Sequence, residues 1–344
     1  SHNAVNNILA AKGYTVENTN GRMTEDGSTD LVWKWTNDTL DTTTFSTGAN
    51  GTAITNLFDE SDPNKSSDAP GSVTWMSRSD WDRAPSPTAP AQLTANETLA
   101  ASLAFTKYDG SEANSVEMPT LGAKNGLTLA SMIGKDFDDP EWDTLLDQLT
   151  YSEMVQTITL GFHNTAAAAS IGKTATKDEN GPQGLTAALT GGASAMCYTS
   201  EDVMAATFNV DLINEVGKCI GEDCLAMGYS GLYGPGINMH RTAYSGRNFE
   251  YYSEDPFVAG TICAAEVQGI QSKGVYVYLK HVALNDSETS RRGVNTWLNE
   301  QTAREIYLEV ADKAITDGGA WSVMTGFNRW GATWCGANAN LLTG

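Results

Sequence analysis

The sequence predicts an α/β fold in which strand–helix units build a parallel sheet. Short runs of β-branched and aromatic residues, such as "GVYVYLKH" from Gly274 and "AWSVMTGF" from Ala320, have the length of buried strands. From Leu149 onwards, amphipathic segments such as "DLINEVGKCIGEDCLAMG" from Asp211 alternate with these runs. Such alternation is typical of parallel sheets, because a parallel connection needs a crossover, usually a helix.

The elements of this sheet can be assigned in chain order. One strand is expected just before Asn180, and three more near Ser230–Pro235, Val275–Lys280 and Ala320–Thr325. Four strands are about half of an eight-stranded barrel, whose edge near Val323 would be open. We therefore expect the remaining part of the same polypeptide, or a second chain, to complete the barrel along that edge.

The helices have sequence signals of their own. Thr150 stands three residues before Glu153, which is the capping-box pattern of a helix start. The helix from Asp211 should end at Gly228, because glycine favours the left-handed C-cap. Its apolar face is expected to consist of Leu212, Val216, Ile220 and Leu225.

The N-terminal part of the chain has a different composition. It is rich in Thr, Asp, Asn, Ser and Pro and shows no sustained periodicity. Val5–Lys12 predicts a short helix that stops at Gly13. The proline-rich stretch Ala84–Thr94 predicts an extended linker, because each proline fixes φ. We expect this part to be an irregular linker or wrapping region.

Composition argues against several classes of partner. The 344 residues carry a formal net charge of −21, with 21 Lys and Arg against 42 Asp and Glu. A nucleic-acid partner would need a basic surface, and an anionic membrane is disfavoured for the same reason. The chain contains no transmembrane-length apolar run and no signal-peptide core at its start. We therefore expect a cytoplasmic rather than a secreted protein, with a neutral or weakly charged partner.

Polar residues follow the predicted strands. Lys280 and His281 close one strand, and a glycine-rich turn, "GPGIN", leads from another towards Arg247. The carboxyl ends of barrel strands form the face where the chemistry of such folds takes place. Glu288 and Arg291 follow soon afterwards, and charged side chains are rarely buried without partners. We expect these side chains to converge in one polar pocket.

Four blocks of the sequence resemble the signature blocks of glycoside hydrolase family 3, the β-glucosidases and their relatives. They are "GPGINMHRTAYSGRNFEYYSEDP", "LKHVALNDSETSRRGVNTW", "NEQTAREIYL" and "SVMTGFNRWG". The resemblance implies that 149–344 is the N-terminal part of an incomplete TIM-type (β/α)8 barrel. It also implies an inverted domain order. In that order, 1–72 is the tail of an upstream module and a linker, and 73–148 is a connector that wraps the barrel.

The resemblance also implies roles for individual residues. In the family, the residues that match Arg247, Lys280 and His281 donate hydrogen bonds to sugar hydroxyls, and the match to Arg291 lies near them. Phe327 stands where many members carry an aromatic residue below the sugar ring. The peptide bond between Lys280 and His281 is expected to be cis.

The block "DENGPQG" departs from the family's "DGP" block. Asn180 stands where the family has an Asp that grips the far side of the sugar, and Asp178 lies two residues earlier. Asn180 and Asp178 are therefore candidate substrate-binding residues. An amide can still accept a hydrogen bond through its carbonyl oxygen, but it carries no charge. We therefore expect the affinity or specificity of this subsite to differ from that of the family.

The catalytic carboxyl groups are expected outside the chain. Retaining glycosidases use a nucleophile and an acid/base about 5–5.5 Å apart. The resemblance implies a nucleophilic Asp on a strand after Gly344 and, with inverted domain order, an acid/base Glu upstream of Ser1. Glu250 and Asp255 are expected instead to hold Arg247 and its loop.

Two hypotheses about function stay open. In the first, the chain is part of a retaining, exo-acting β-glycosidase, of β-glucosidase or β-xylosidase specificity, that acts on a β-linked oligosaccharide or glucoside. In the second, it is a non-catalytic glycan-binding fragment or a pseudoenzyme. No cofactor or metal is expected, because paired carboxyl groups suffice for glycoside hydrolysis and no set of residues has zinc-site spacing.

Overall fold

The computed structural model of the protein describes residues 56–73, 95–104, 109–111, 115–187 and 189–343. The predicted helix Val5–Lys12 and the predicted linker Ala84–Thr94 lie outside these residues. The first helices are α1 (Glu97–Ser102), α2 (Glu141–Leu146) and α3 (Tyr151–Thr159). The predicted capping box at the start of α3 is confirmed, because the side chains of Thr150 and Glu153 each accept from the other's backbone N–H.

The strands form a curled, incomplete barrel sheet and a small second sheet. In chain order they are β1 (Asn164–Thr165), β2 (Thr176–Asn180), β3 (Gly231–Tyr233), β4 (Tyr276–Val282), β5 (Asn295–Thr296), β6 (Ser322–Thr325), β7 (Arg329–Trp330) and β8 (Thr333–Trp334). The main sheet of the described residues has the order β1-β2-β3-β4-β6, and the second has β5-β7-β8. β2, β3, β4 and β6 pair in parallel, which confirms the four predicted strands.

Helices connect the parallel strands. They are α4 (Glu201–Ala206), α5 (Val210–Met227), α6 (Pro256–Gln271), α7 (Glu300–Thr302), α8 (Glu309–Thr316) and α9 (Ala339–Thr343), with a π-helical stretch at Ala303–Leu308 between α7 and α8. α4 and α5 lie between β2 and β3, α6 between β3 and β4, and α7 and α8 between β4 and β6. None of the described helices combines the length and apolar composition that a membrane span requires.

The predicted apolar face of α5 is partly wrong. Leu212 and Leu225 are 48% and 47% exposed, whereas the neighbouring Ile213 is buried. The reason is the close approach of α6, since a Cβ atom on Gly217 would lie 2.4 Å from the carbonyl oxygen of Glu266. The side of α5 that bears Gly217 therefore packs against α6. The pattern of apolar residues in the sequence does not identify this side, because glycine has no apolar side chain.

β4 divides its side chains between the two faces of the sheet. Val277 and Leu279 are fully buried in the hydrophobic core that the sheet forms with α5 and α6. Tyr276 and Tyr278 point to the opposite face, because successive side chains of a strand alternate. Lys280 continues this second series, which places its ammonium group on the same face as the two tyrosine rings.

The segment 56–73 packs against this α/β unit. The ring of Phe58 stacks on Trp330 of β7 with ring centroids 3.9 Å apart. The backbone N–H groups of Leu57 and Phe58 donate to Glu300 Oε2 at 2.8 and 3.1 Å. This part of the N-terminal region therefore contributes to the hydrophobic core, and the predicted domain boundary at residue 72 stays a prediction.

Candidate active site

A cluster of charged side chains lies at the carboxyl ends of β3 and β4. Arg247, in the loop after β3, donates from Nε to Glu250 Oε1 at 3.2 Å and from Nη2 to Oε2 at 2.5 Å. Lys280 Nζ lies 3.3 Å from the same Oε2 atom. Arg247 Nη1 lies 3.3 Å from Nε2 of His281. Arg247, Lys280 and His281 therefore lie close together, as predicted.

Arg291 joins the cluster through a second carboxylate. Its Nη1 atom donates to Glu288 Oε2 at 2.8 Å. The other oxygen of Glu288 lies 3.7 Å from Arg247 Nη1. Glu288 therefore bridges the two guanidinium groups, and all four basic side chains that the sequence singled out belong to one network.

The network runs from the interior to the surface. The exposed fraction of the side chain rises from 5% at Lys280 to 12% at Glu250, 17% at Arg247, 24% at Glu288 and 31% at Arg291. Lys280 and Glu250 therefore form the buried end of the network, and Arg291 its outer end.

The loop that carries Arg247 is held close to the glycine-rich turn after β3. A Cβ atom on Gly236 would lie only 2.0 Å from the carbonyl oxygen of Glu250, so only glycine fits there. At the other end of the loop, Asp255 Oδ1 accepts from the N–H of Val258 at 3.0 Å and caps α6. As expected, Glu250 holds Arg247 directly, while Asp255 fixes the end of its loop.

His281 is neutral and ordered by its neighbours. Asn238 Oδ1 accepts from the His281 backbone N–H at 2.9 Å and lies 3.2 Å from the ring Nδ1 atom. This pairing assigns the ring proton to Nδ1, so Nε2 can accept from Arg247. Burial, followed by the charges of Arg247, Lys280 and Arg291, lowers the pKa of His281 to about 2. The Lys280–His281 peptide bond is cis, as expected.

Lys280 is the most deeply placed cation of the network. Burial lowers the pKa of its ammonium group, and the nearby carboxylate of Glu250 opposes that shift. Its Nζ atom also donates to the carbonyl oxygen of Gly181 at 3.5 Å, directly after β2. The ammonium group therefore links the ends of β2 and β4.

Phe327 lies at the outer end of the network. Its ring is 48% exposed, and the guanidinium carbons of Arg291 and Arg292 lie 5.2 and 5.8 Å from its centroid. The predicted aromatic residue is therefore next to the cluster, where it offers an apolar surface beside the charged groups.

Asp178 and Asn180 of β2 have other partners. Asp178 is buried and accepts from the hydroxyls of Tyr276 and Tyr278 at 2.5 and 2.9 Å. Gly231 lies between Asp178 and Tyr276 in the sheet register and leaves space for this contact. The side chain of Asn180 donates to Glu179 Oε1 at 3.1 Å. The described contacts of these two side chains do not join them to the Arg247 network.

Two supporting residues, Asn238 and Glu201, were not predicted from the sequence. Asn238 binds both the backbone N–H and the ring of His281. It is the last residue of the "GPGIN" turn that leads to Arg247, and this position could have indicated a place in the site. Glu201, on α4, accepts from the Gly236 N–H at 3.2 Å and is fully buried. No sequence signal marks Glu201, because a single acidic residue on a short helix usually faces solvent.

A second buried carboxyl group lies behind the cluster. Glu266 on α6 is fully buried and accepts from the Tyr252 hydroxyl at 2.6 Å. Burial raises the pKa of Glu266 to about 7. Burial and then the neighbouring Glu266 also raise the pKa of Glu201 well above its ordinary value. Both carboxyl groups therefore keep their protons to a higher pH than an exposed glutamate would.

The chain is similar to known enzymes in this region. The family model for the glycosyl hydrolase family 3 N-terminal domain matches residues 163–344. Thermostable beta-glucosidase B of Acetivibrio thermocellus is 34% identical over 208 residues, which make up 58% of this chain and 28% of that protein.

Solved structures show the same likeness. The structure of a β-glucosidase from Paenibacillus barengoltzii matches 70% of this chain and 27% of its own, with a TM-score of 0.57 and 28% identity. Beta-glucosidase 3B from Thermotoga neapolitana, solved in complex with α-D-glucose, matches 57% of this chain and 30% of its own, with a TM-score of 0.51 and 32% identity.

The chain spans less than a third of the length of these relatives. The family match nevertheless includes β1 to β8 and the whole charged network. The incomplete barrel sheet agrees with the α/β architecture of the solved neighbours. The chain therefore belongs to glycoside hydrolase family 3.

Proposed function

We propose that the protein is a retaining, exo-acting β-glycosidase of the β-glucosidase type, and that this chain supplies the residues that bind the nonreducing-end sugar. The observation that carries the proposal is the network of Arg247, Lys280 and His281 with Glu250 and Glu288 at the ends of β3 and β4. Barrel enzymes place their active sites at this end of the sheet.

The chemistry of the network suits a neutral polyol. Arg247 and Lys280 supply N–H donors, while Glu250 and Glu288 supply acceptors. Because each cation already has a carboxylate partner, the network adds no large uncompensated charge that would favour an ionic ligand. Sugar hydroxyls both donate and accept, so they can bind between such groups with charge-assisted hydrogen bonds.

Neither of these carboxylates is proposed to be a catalytic group. Glu250 is bound by Arg247 and Lys280, and Glu288 is bound by Arg291. We propose that both carboxylates position these basic side chains. We propose that the nucleophile and the acid/base belong to parts of the polypeptide outside 1–344.

We also propose that the remaining part of the polypeptide completes the barrel along β6. This edge borders a cavity of about 680 Å³ whose lining includes Trp321, Val323 and Leu341. The proposed domain division is the tail of an upstream module and a linker over 1–72, a connector over 73–148, and the first part of the catalytic barrel over 149–344. Phe58, within the proposed linker, stacks on Trp330 of β7, which supports a linker that contacts the proposed barrel part.

The test is steady-state kinetics of the full-length protein on an aryl β-glucoside. Arg247→Gln removes hydrogen bonds from a charged donor, which are worth about 1.5–3 kcal/mol each, so kcat/KM should fall at least about 10-fold. Lys218→Gln is the control, because its ion pair with Glu215 lies on the exposed side of α5. Equal kcat/KM values for Arg247→Gln and the wild type would contradict the proposal.

A further inference from the structure

Two fully buried glutamates lie behind the charged network. Glu201 begins α4 and Glu266 lies within α6, and the exposed fraction of both residues is 0%. Further chain that packs on the barrel can only add to this burial. Among the residues that the structure describes, no cation lies within ion-pair distance of either carboxyl group. Charged side chains are rarely buried in this way, so at least one of the two groups needs another form of compensation.

Each carboxyl group has one oxygen with a partner and one without. Glu201 Oε1 accepts from the Gly236 N–H at 3.2 Å, and Glu266 Oε2 accepts from the Tyr252 hydroxyl at 2.6 Å. Over the described part of the chain, no donor reaches the buried atoms Glu201 Oε2 and Glu266 Oε1. Two ionised carboxylates would therefore leave two buried oxygens without a hydrogen bond and two like charges close together.

Other titratable groups face this pair. They are Tyr252, Cys263, Glu250 and Lys280. Burial raises the pKa of the Tyr252 hydroxyl and of the Cys263 thiol well above their ordinary values, so both stay neutral. Glu250 and Lys280 belong to the charged network and form an ion pair with each other. The pair of glutamates must therefore balance its own charge.

The two glutamates differ in how strongly they hold a proton. Burial raises the pKa of Glu266 to about 7, and the hydrogen bond from Tyr252 opposes this shift. Burial, and then the charge of Glu266, raises the pKa of Glu201 well above its ordinary value. As pH rises, Glu266 should ionise first, and a proton that remains on Glu201 can then be donated to the free oxygen of Glu266.

The position of Glu201 connects this proton to the sugar site. A Cβ atom on Gly236 would lie 3.0 Å from Glu201 Oε2, so the carboxyl group packs directly against the glycine-rich turn. The residues on either side of Gly236 bind the backbone of Lys280. Pro235 O accepts from the Lys280 N–H at 3.0 Å, and the Ile237 N–H donates to Lys280 O at 2.7 Å. A displaced Glu201 would therefore shift the turn that holds Lys280.

We propose that Glu201 is a positioning residue of the sugar site and that it acts as a protonated acid. Its Oε2–H group donates to Oε1 of Glu266, while its Oε1 atom accepts from the Gly236 N–H. A hydrogen bond from an acid to a carboxylate is charge-assisted and therefore strong. One neutral side chain thereby ties α4 and α6 to the turn beside Lys280. The positioning role rests on the proposed function, whereas the proton on Glu201 does not.

Infrared spectroscopy of the full-length protein at pH 8 tests the proton. A protonated carboxyl group has a C=O stretching band separate from the carboxylate bands, and the difference between the wild type and Glu201→Gln isolates that of Glu201. We expect the band in the wild type and its loss in Glu201→Gln. Glu215→Gln, which removes a 67% exposed carboxylate of α5, is the control and should leave the band unchanged. A band that is absent from the wild type, or that persists in Glu201→Gln, would overturn the proposal.

Glu266→Gln tests the partner of the proton. An amide oxygen is a weaker acceptor than a carboxylate, and without the charge of Glu266 the proton is also held less tightly. The band of Glu201 should therefore move or disappear in this variant. An unchanged band would contradict a hydrogen bond between Glu201 and Glu266.

Steady-state kinetics on an aryl β-glucoside tests the positioning role. Glu201→Gln keeps an acceptor for Gly236 and supplies an N–H donor for Glu266, so kcat/KM should stay within about 3-fold of the wild type. Glu201→Leu has neither and leaves the Gly236 N–H unpartnered, so kcat/KM should fall about 10-fold.

The outcomes separate this inference from the proposed function. Equal kcat/KM values for the wild type and Glu201→Leu would overturn the positioning role. So would a loss of 10-fold or more in Glu201→Gln, which decides the matter even if Glu201→Leu does not fold. If the wild type hydrolyses no glucoside, the proposed function fails and the positioning role fails with it, while the infrared spectra still decide whether Glu201 holds the proton.

Discussion

The carboxylate of Glu250 lies 3.3 Å from the ammonium group of Lys280, at the buried end of the charged network. The same carboxylate accepts two hydrogen bonds from Arg247. One acidic residue therefore fixes two cations that arrive from different strand–helix units. The geometry of the proposed sugar site depends on this shared carboxylate more than on any other single contact.

Replacing Glu250 should therefore disturb both cations at once. Glu250→Gln keeps the shape and one acceptor but removes the charge that Arg247 and Lys280 share. In the full-length protein we expect kcat/KM for an aryl β-glucoside to fall about 10- to 100-fold, since charge-assisted hydrogen bonds contribute about 1.5–3 kcal/mol. Glu254→Gln, at a neighbouring exposed position, is the control and should behave as the wild type.

The packing of α5 on α6 predicts a stability effect at Gly217. A Cβ atom there would meet the Glu266 carbonyl oxygen at 2.4 Å, so Gly217→Ala must push the helices apart. We expect the free energy of unfolding to decrease by about 1–3 kcal/mol, as is typical of overpacking. Gly71→Ala, where no atom of the described residues lies within 4 Å, should change it by less than about 0.5 kcal/mol. Chemical denaturation of both variants measures the difference, and equal values would rule out this packing.

Glu266 predicts a pH dependence of stability. Burial raises its pKa from the ordinary 4.5 to about 7, so the folded protein keeps a proton that the unfolded chain has already released. Stability should therefore fall as pH rises from about 4.5 to about 7, by a contribution on the order of 3 kcal/mol. Glu266→Gln cannot ionise, so its stability should not fall in this way, and its amide oxygen still accepts a hydrogen bond from Tyr252.

The corresponding measurement is denaturant unfolding of the wild type and Glu266→Gln at pH 5 and pH 8. The variant should gain stability relative to the wild type between the two pH values. If the difference in free energy of unfolding between the two proteins is the same at pH 5 and pH 8, the pKa of Glu266 is not raised by folding.

The chain of 344 residues should show no glycosidase activity alone. Both catalytic carboxyl groups are proposed to lie outside it, and enzymes of this kind accelerate their reactions by at least about 10⁶-fold. A continuous assay of purified residues 1–344 on an aryl β-glucoside should give the background rate. Saturable hydrolysis that disappears on Glu250→Gln or Glu288→Gln would place a catalytic carboxyl group within this chain.

The sequence predicted the parts of the structure that depend on local pattern and on sheet topology. Arg247 and Lys280 could be expected together because Arg247 follows β3 and Lys280 lies near the end of β4. The carboxyl ends of these neighbouring parallel strands share one side of the sheet. The capping box at Thr150 could be read directly, because it depends on four consecutive residues. These predictions needed no knowledge of how helices pack.

Other features depend on which residues meet across the fold. The contact of Asp178 with substrate stays a prediction. Its hydrogen bonds to Tyr276 and Tyr278 could not be predicted, because these partners lie 98 and 100 residues away and are brought to it by the strand register. The buried face of α5 depends on the approach of α6 to Gly217, which helical periodicity does not encode. Glu201 is inconspicuous in sequence because its burial results from tertiary packing alone.

The most direct test of the account is a crystal structure of the full-length protein with glucose bound. We predict that the sugar lies at the ends of β3 and β4, with hydroxyl oxygens about 2.7–3.2 Å from nitrogen atoms of Arg247 and Lys280. Glucose bound at another place, with Arg247 and Lys280 still paired only to Glu250, would contradict the assignment of this network as the sugar site.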